Sequence, residues 1–248
     1  EEGVPRWCWR RCCHRLLRPT RMGAVIDPST DAFGAALLDY LDGKEVPELA
    51  LEVEGDDGIG PAMHPEWFFR GFERWEWWDR ELLPRIERGP VLDLGAGAGR
   101  AGLYLQERGL PVTAVEASPG AADVCRRRGL ADVRLGDVND PPADQAWAAM
   151  LLLCGNLGLG GSWDGNRRLL GRLAELAAPG AVLIGDSVTP DRSPRVVLRI
   201  RYRDLVTPWW PQYNMPSGQM GALVDGTGWR IDTHLEDGED HAVLLRRT

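Results

Sequence analysis

From residue 90 to 188 the apolar positions fall into two alternating kinds of segment. Short runs at 91–94, 112–116, 133–135, 146–154 and 181–188 are nearly continuous in apolar residues, as strands buried on both faces are. Between them apolar residues recur at three- and four-residue spacing, the mark of an amphipathic helix. One such stretch follows Arg100 with Leu103 and Leu105, and another carries Leu169, Leu170, Leu173, Leu176 and Ala177. Strand and helix in regular alternation predict a parallel, doubly wound sheet. The punctuation agrees: Ser118 suits a helix cap, Pro119 its first position and Gly129 the residue past its end, while Pro179-Gly180 closes the Leu169 helix.

The flanks follow other rules. Residues 31–41 place Phe33, Ala36, Leu37, Tyr40 and Leu41 on one helical face, with Thr30 or Asp31 as the cap. Residues 49–53 alternate like a strand and run into the turn Gly55-Asp56-Asp57-Gly58. Seven aromatic rings then crowd residues 67–78; on a helix Phe68, Phe72, Trp75 and Leu82 would share a face, which leaves no room there for all seven. Past residue 191, Val196, Leu198, Ile200 and Tyr202 alternate with Val197, Arg199, Arg201 and Arg203, a strand with one wet face. With the extended stretch 207–213 this reads as a β-insertion. A helix from Ser217 carries Met220, Leu223 and Val224, and segments 229–235 and 241–245 flank Glu236-Asp237-Gly238-Glu239-Asp240 as a hairpin.

Composition narrows the picture. A chain of 248 residues holds one α/β domain with additions, and a net charge of −8 disfavours a broad nucleic-acid footprint. No apolar run approaches the ~18 residues that cross a bilayer. Residues 1–21 stand apart, with six arginines against two glutamates and three of the five cysteines. They are expected to be a disordered or non-native extension ahead of a start at Met22. Cys12 and Cys13 are adjacent, with His14 beside them, so no metal site is expected. Cys125 and Cys154, on a predicted helix and strand, are read as reduced core residues of a cytoplasmic protein.

The chemistry concentrates where the first central strand ends. Asp93 is followed by Gly95, Gly97 and Gly99, and backbone amides unshielded by Cβ atoms can approach a phosphate or an amino-acid carboxylate. A dinucleotide fingerprint needs Gly-x-Gly-x-x-Gly, whereas here the pattern is Asp-x-Gly-x-Gly-x-Gly. Twenty-one residues past Gly95, Glu116 ends the next apolar run, where a carboxylate can accept both ribose hydroxyls of a nucleoside. Gly136-Asp137 ends the third run. In that order and at those intervals, these segments resemble class I S-adenosylmethionine (SAM) dependent methyltransferases, in particular a small-molecule methyltransferase-like, uncharacterised group from high-GC bacteria. The likeness begins near residue 49 and includes Glu52-Val53-Glu54-Gly55-Asp56-Asp57-Gly58, Glu116-Ala117-Ser118-Pro119, Asn156-Leu157-Gly158-Leu159 and Thr207-Pro208-Trp209-Trp210 leading to Gly226-Thr227-Gly228-Trp229.

The resemblance implies a Rossmann-like doubly wound α/β sheet with a C-terminal antiparallel hairpin, an N-terminal helical cap over residues 22–85, and a SAM-binding domain over 86–248 that holds the β-insertion. It implies SAM as cofactor, bound by Asp93, Gly95, Ala96, Gly97, Glu116, Ala117, Asp137, Val138 and Asn156, and a small-molecule acceptor. Trp77, Trp78, Trp209 and Trp210 are the candidate acceptor contacts, set against a purely structural packing role. His64, Asn156 and Asp186 are the candidate catalytic groups, with His234 a further histidine to weigh. Asn156 lacks the prolines of the Asn-Pro-Pro-Tyr motif, and Ser217-Gly218-Gln219-Met220 departs from the acid-rich helix start common in the group. Two other readings stay open: a non-catalytic SAM-binding protein and an NAD(P)-binding oxidoreductase.

Overall fold

The computed structural model of the protein describes residues 25–56, 58–188 and 193–248; the reading of residues 1–21 lies outside them. The described chain begins with α1 (Ala32–Leu41), capped by the Asp31 side chain. Two strands follow, β1 (Leu51–Gly55) and β2 (Gly58–Met63), paired antiparallel. The aromatic segment is not one helix. It breaks into 3-10 turns at Pro65–Phe69 and Phe72–Arg74 before the short α2 (Trp77–Leu82). The break resolves the crowding by sending the rings to different partners. Phe68 meets Phe33 edge-on, Phe69 leans on Tyr40, Phe72 stacks on Tyr104, and Trp78 joins the core.

The central alternation is as the pattern predicts: β3 (Val91–Leu94), α3 (Arg100–Glu107), β4 (Val112–Glu116), α4 (Pro119–Arg127), β5 (Asp132–Leu135), β6 (Trp147–Leu152), α5 (Trp163–Leu176) and β7 (Ala177–Val188). The β7 strand starts four residues earlier than expected. Ala177 pairs with Trp147 directly after the helix, and the register shifts before Val182 pairs with Ala149. Pro179-Gly180 is thus an irregularity within the strand, with Gly180 at φ 68°, not the close of the helix.

The remaining elements are β8 (Arg195–Tyr202), β9 (Leu205–Val206), β10 (Trp210–Tyr213), α6 (Met220–Val224), β11 (Trp229–Asp237) and β12 (Asp240–Arg247). They build two sheets. The main one has the order β11-β12-β7-β6-β3-β4-β5, parallel from β7 through β5 and closed by the antiparallel β12 and β11. The small sheet has the order β10-β8-β1-β2, with β9 beside β8, so the insertion completes a sheet begun by the N-terminal segment. Its wet face is paired: Glu54 receives hydrogen bonds from both Arg199 and Arg201 across the β1–β8 register.

Every residue of β6 is buried. Trp147, Met150 and Leu152 face a cluster with α5 and α6, whereas Ala149, Leu151 and Leu153 face Leu82 and Leu105 of α2 and α3. Each fully buried leucine there contributes about 1.5–3 kcal/mol. Such two-sided burial makes the central strands a rigid floor, and the polar chemistry gathers at their carboxyl ends. No helix among the described residues is long and apolar enough to cross a membrane.

Candidate active site

Gly95, Gly97 and Gly99 have φ of 76°, 58° and 78°, all in the left-handed region that other residues enter at a cost. Gly99 occupies the N-cap position of α3. Gly95 is doubly constrained, because a Cβ there would overlap Asn156 Nδ2. That amide donates to the carbonyls of Leu94 at 3.0 Å and Gly95 at 3.1 Å, clamping the glycine turn to the tip of β6.

Glu116, at the end of the neighbouring β4, closes the other side. One carboxylate oxygen accepts from Gly97 N at 2.8 Å and the other from Ser118 N at 3.0 Å. Burial pushes this carboxyl up, and the amides of Ser118, Gly97 and Ala117 pull it down. The tip of β5 is tied in through Gly136 N, which donates to Glu116 O. Asp137 therefore sits beside this site, its side chain accepting from Asn139 N at 2.9 Å, and Val138 is buried in the main cluster. Ala117 O receives Ile26 N, and Ala96 O receives Gly99 N. Asp93 lies beneath, only 3% exposed. Burial and the neighbouring Glu116 push its carboxyl up to about 7.

The second half of the site surrounds the end of β6. Cys154 and Gly155 both have left-handed backbone, at φ 61° and 78°. Their amides both donate to the Asp186 carboxylate, Cys154 N at 2.8 Å. Burial pushes Asp186 up and those amides oppose it. Cys154, expected in the core on a strand, instead stands exposed in the turn after β6, its thiol 3.4 Å from the Arg100 guanidinium. Arg100 is buried between Trp67 and Trp75, 4.3 and 5.0 Å from their ring centres, and bridges to Asp79 at 2.9 Å. Gln212 reaches in from β10 to the Gly155 carbonyl at 3.3 Å.

The aromatic cap lies over the glycine turn: a Cβ on Gly97 would stand 3.6 Å from Phe68 Cδ1 and 3.8 Å from Phe33 Cζ. The other candidates scatter. His64 caps a 3-10 turn by accepting Glu66 N at 3.2 Å. Trp78 is core, and Trp77, 38% exposed, donates to Asp237 of the terminal hairpin. Trp209 lies under the Arg199 guanidinium at 4.4 Å, and Trp210 packs with Val53, Val196 and Leu198. His234 contacts His241 at 3.2 Å. Sequence reasoning passed over Arg100 and Gln212; Phe33 and Phe68 it placed on helical faces, Phe68 within the aromatic segment that includes the candidates Trp77 and Trp78. Arg100 alone had a local signal, following the last glycine of the turn.

Sequence comparison finds no matching family model and no matching curated protein. Structural comparison finds proteins of similar fold. A SAM-dependent methyltransferase from Bacteroides fragilis, solved with S-adenosyl-L-homocysteine, is similar with a TM-score of 0.80 and 22% identity, over 92% of this chain and 99% of that one. The CcbJ methyltransferase from Streptomyces caelestis gives 0.56 and 15% over 71% and 94% of the two chains. CalS10, an amino pentose methyltransferase from Micromonospora echinaspora solved with SAM, gives 0.53 and 16% over 71% and 94%. The protein thus has the Rossmann-like α/β fold of these methyltransferases, terminal hairpin included.

Proposed function

We propose that this protein is a SAM-dependent methyltransferase acting on a small-molecule acceptor. The observation that carries the reading is the Gly97–Glu116 bridge, a left-handed glycine turn joined to a carboxylate at the tip of the adjacent parallel strand. The residues fit the cofactor. Each Glu116 oxygen accepts one backbone amide and keeps a lone pair for a ribose hydroxyl. The turn amides suit the methionine carboxylate. Asp137 and Val138 suit the adenine, and Leu135, 44% exposed beside them, offers its base an apolar surface. The similarity to structures solved with S-adenosyl-L-homocysteine or SAM supports the same assignment.

When bound, SAM supplies a methyl group on a sulfonium, with a neutral thioether as leaving group. The chain's contribution is placement and exclusion of water. Phe33 and Phe68 cover the glycine turn, and the acceptor sits over the edge formed by Cys154, Gly155 and Asn156, bounded by Gln212. Asn156 and Asp186 hold that backbone in place through their hydrogen bonds to it. Residues 22–85 are assigned to the cap and 86–248 to the cofactor domain, the described parts of the two meeting in the small sheet, in a cytoplasmic protein whose net charge of −8 suits a small acceptor over a nucleic acid.

Calorimetric titration with SAM, S-adenosylhomocysteine and NAD, beside Glu116→Ala, tests the reading. Loss of two hydrogen bonds to a charged group, at about 1.5–3 kcal/mol each, predicts binding of the first two ligands weakened about a hundredfold or more in the variant. Binding of NAD alone refutes the reading. Tight SAM binding with no methyl transfer across an acceptor screen favours a non-catalytic SAM-binding protein.

A further inference from the structure

Two helices start at the same point in space. Gly34 of α1 and Gly120 of α4 are in backbone contact, such that a Cβ on Gly34 would lie 2.6 Å from Gly120 Cα and one on Gly120 2.7 Å from Gly34 Cα. Between them sits Asp31, 4% exposed. Its carboxylate accepts from Gly34 N at 2.9 Å, from Gly120 N at 2.8 Å and from Ser118 Oγ at 2.8 Å. One carboxylate thus caps both helices, although 87 residues separate it from Ser118. The carboxylate thereby satisfies amides at both helix N-termini that have no partner within their own helices.

The network continues toward the cofactor site. Ser118 Oγ accepts from Ala121 N, and Ser118 N donates to Glu116, whose other oxygen holds Gly97. Two residues past Asp31, Phe33 lies with Phe68 over Gly97. The cap therefore cannot lift from the glycine turn without drawing on the segment that presents Glu116. Charge reinforces the link: Asp31 is among the groups raising the Glu116 carboxyl. Asp93 from β3 and Cys125 from α4 also face Glu116.

Building on the methyltransferase reading, we propose that Asp31 is a positioning residue for the cofactor site, latching the N-terminal cap through Ser118 to the arm that carries Glu116. Seating the cap and holding the ribose are then one event. In Asp31→Asn an NH2 replaces the oxygen opposite the Gly120 amide, setting donor against donor there, while the Ser118 hydroxyl is left with the one remaining oxygen.

The test measures S-adenosylhomocysteine affinity, dissociation rate and their pH dependence for wild type, Asp31→Asn, Ser118→Ala and Glu116→Ala. Asp31→Asn should bind about tenfold more weakly, about 1.4 kcal/mol, chiefly through faster dissociation. The acid midpoint of its binding should move to lower pH, because a negative charge near Glu116 is gone. A lowered melting temperature with unchanged affinity and unchanged midpoint makes Asp31 merely structural and overturns the latch. Should Asp31→Asn not fold, Ser118→Ala decides, since it keeps the Asp31 bonds to Gly34 and Gly120; an unchanged dissociation rate there overturns the proposal. Wild type that binds no S-adenosylhomocysteine sinks the methyltransferase reading and the latch together, whereas binding unaffected in both Asp31→Asn and Ser118→Ala sinks the latch alone.

Discussion

Alanine at Gly95 and at Gly97 separates backbone strain from collision. Both positions have left-handed φ, 76° and 58°, so alanine at either costs about 1–2 kcal/mol in strain. At Gly97 little is added, because the new methyl would meet Phe68 and Phe33 at 3.6 and 3.8 Å, ordinary contact. At Gly95 the methyl overlaps Asn156 Nδ2, and the amide must leave the Leu94 and Gly95 carbonyls. Two lost hydrogen bonds at about 1 kcal/mol each bring the penalty to about 3–4 kcal/mol. At about 2–4 °C per kcal/mol, Gly95→Ala should lower the melting temperature by about 6–16 °C and Gly97→Ala by about 2–8 °C. Urea denaturation of both variants, of Asn156→Ala and of the Gly95→Ala/Asn156→Ala double variant supplies the cycle. With Asn156 already gone, Gly95→Ala should cost only its strain, a coupling of about 2 kcal/mol. Equal penalties at the two glycines, or additivity in the double variant, would refute the clamp.

Two further predictions concern pH and carry opposite signs. Asp93 is raised to about 7, so its contribution to stability is present below its unfolded pKa of about 3.9 and lost as pH rises through about 7. Asp93→Asn carries no charge at any pH, so its melting temperature relative to wild type should climb between about pH 4 and pH 7 and then level off; a constant difference would count against the burial argument. His241 is the reverse case: burial holds its ring neutral and its pKa low, with Nε2 against the Met215 carbonyl at 2.6 Å. Its contribution is present above the unfolded pKa of about 6.5 and lost as pH falls below it. Melting curves should lose this acid branch in His241→Gln, and an unchanged branch would show that other groups set it.

The central α/β alternation was legible because its signals are local and redundant. The nearly unbroken apolar run of β6 is the pattern of a strand buried on both faces, and Ser118, Pro119 and Gly129 mark the ends of α4. The glycine turn and Glu116 were legible for a related reason: in adjacent parallel strands, spacing along the chain fixes which tips lie together. The aromatic segment misled because helical periodicity assumes a single packing partner per face, and here Phe72, Trp75 and Trp78 join one cluster while Phe68 and Phe69 pack against others. The β2 strand escaped notice because Gly58, Gly60 and Pro61 argue against a strand, yet its place at the sheet edge is where proline is tolerated. Pro179-Gly180 gave a true turn signal, which the chain uses for an irregularity inside β7.

Around the site, what stayed hidden was which polar atoms each side chain serves. Loops at the carboxyl edge have no ladder of their own, so their amides and carbonyls need partners from elsewhere. Asp186 supplies them for Cys154 and Gly155 and Asn156 for Leu94 and Gly95, while Asp31 does the same for the first-turn amides of Gly34 in α1 and Gly120 in α4. Carboxylates and amides suit that task for the reason they suit catalysis, since they accept or donate strongly in a buried setting. An Asp or Asn at a strand tip therefore reads the same in sequence whether it meets a ligand or a backbone. Only the fold separates the two: the Asn156 amide nitrogen spends both hydrogens on backbone carbonyls, whereas Glu116, like Asp186, accepts one backbone amide on each oxygen and keeps lone pairs. That difference is why the decisive cofactor variant is Glu116→Ala, and why Asn156→Ala should register first as lost stability.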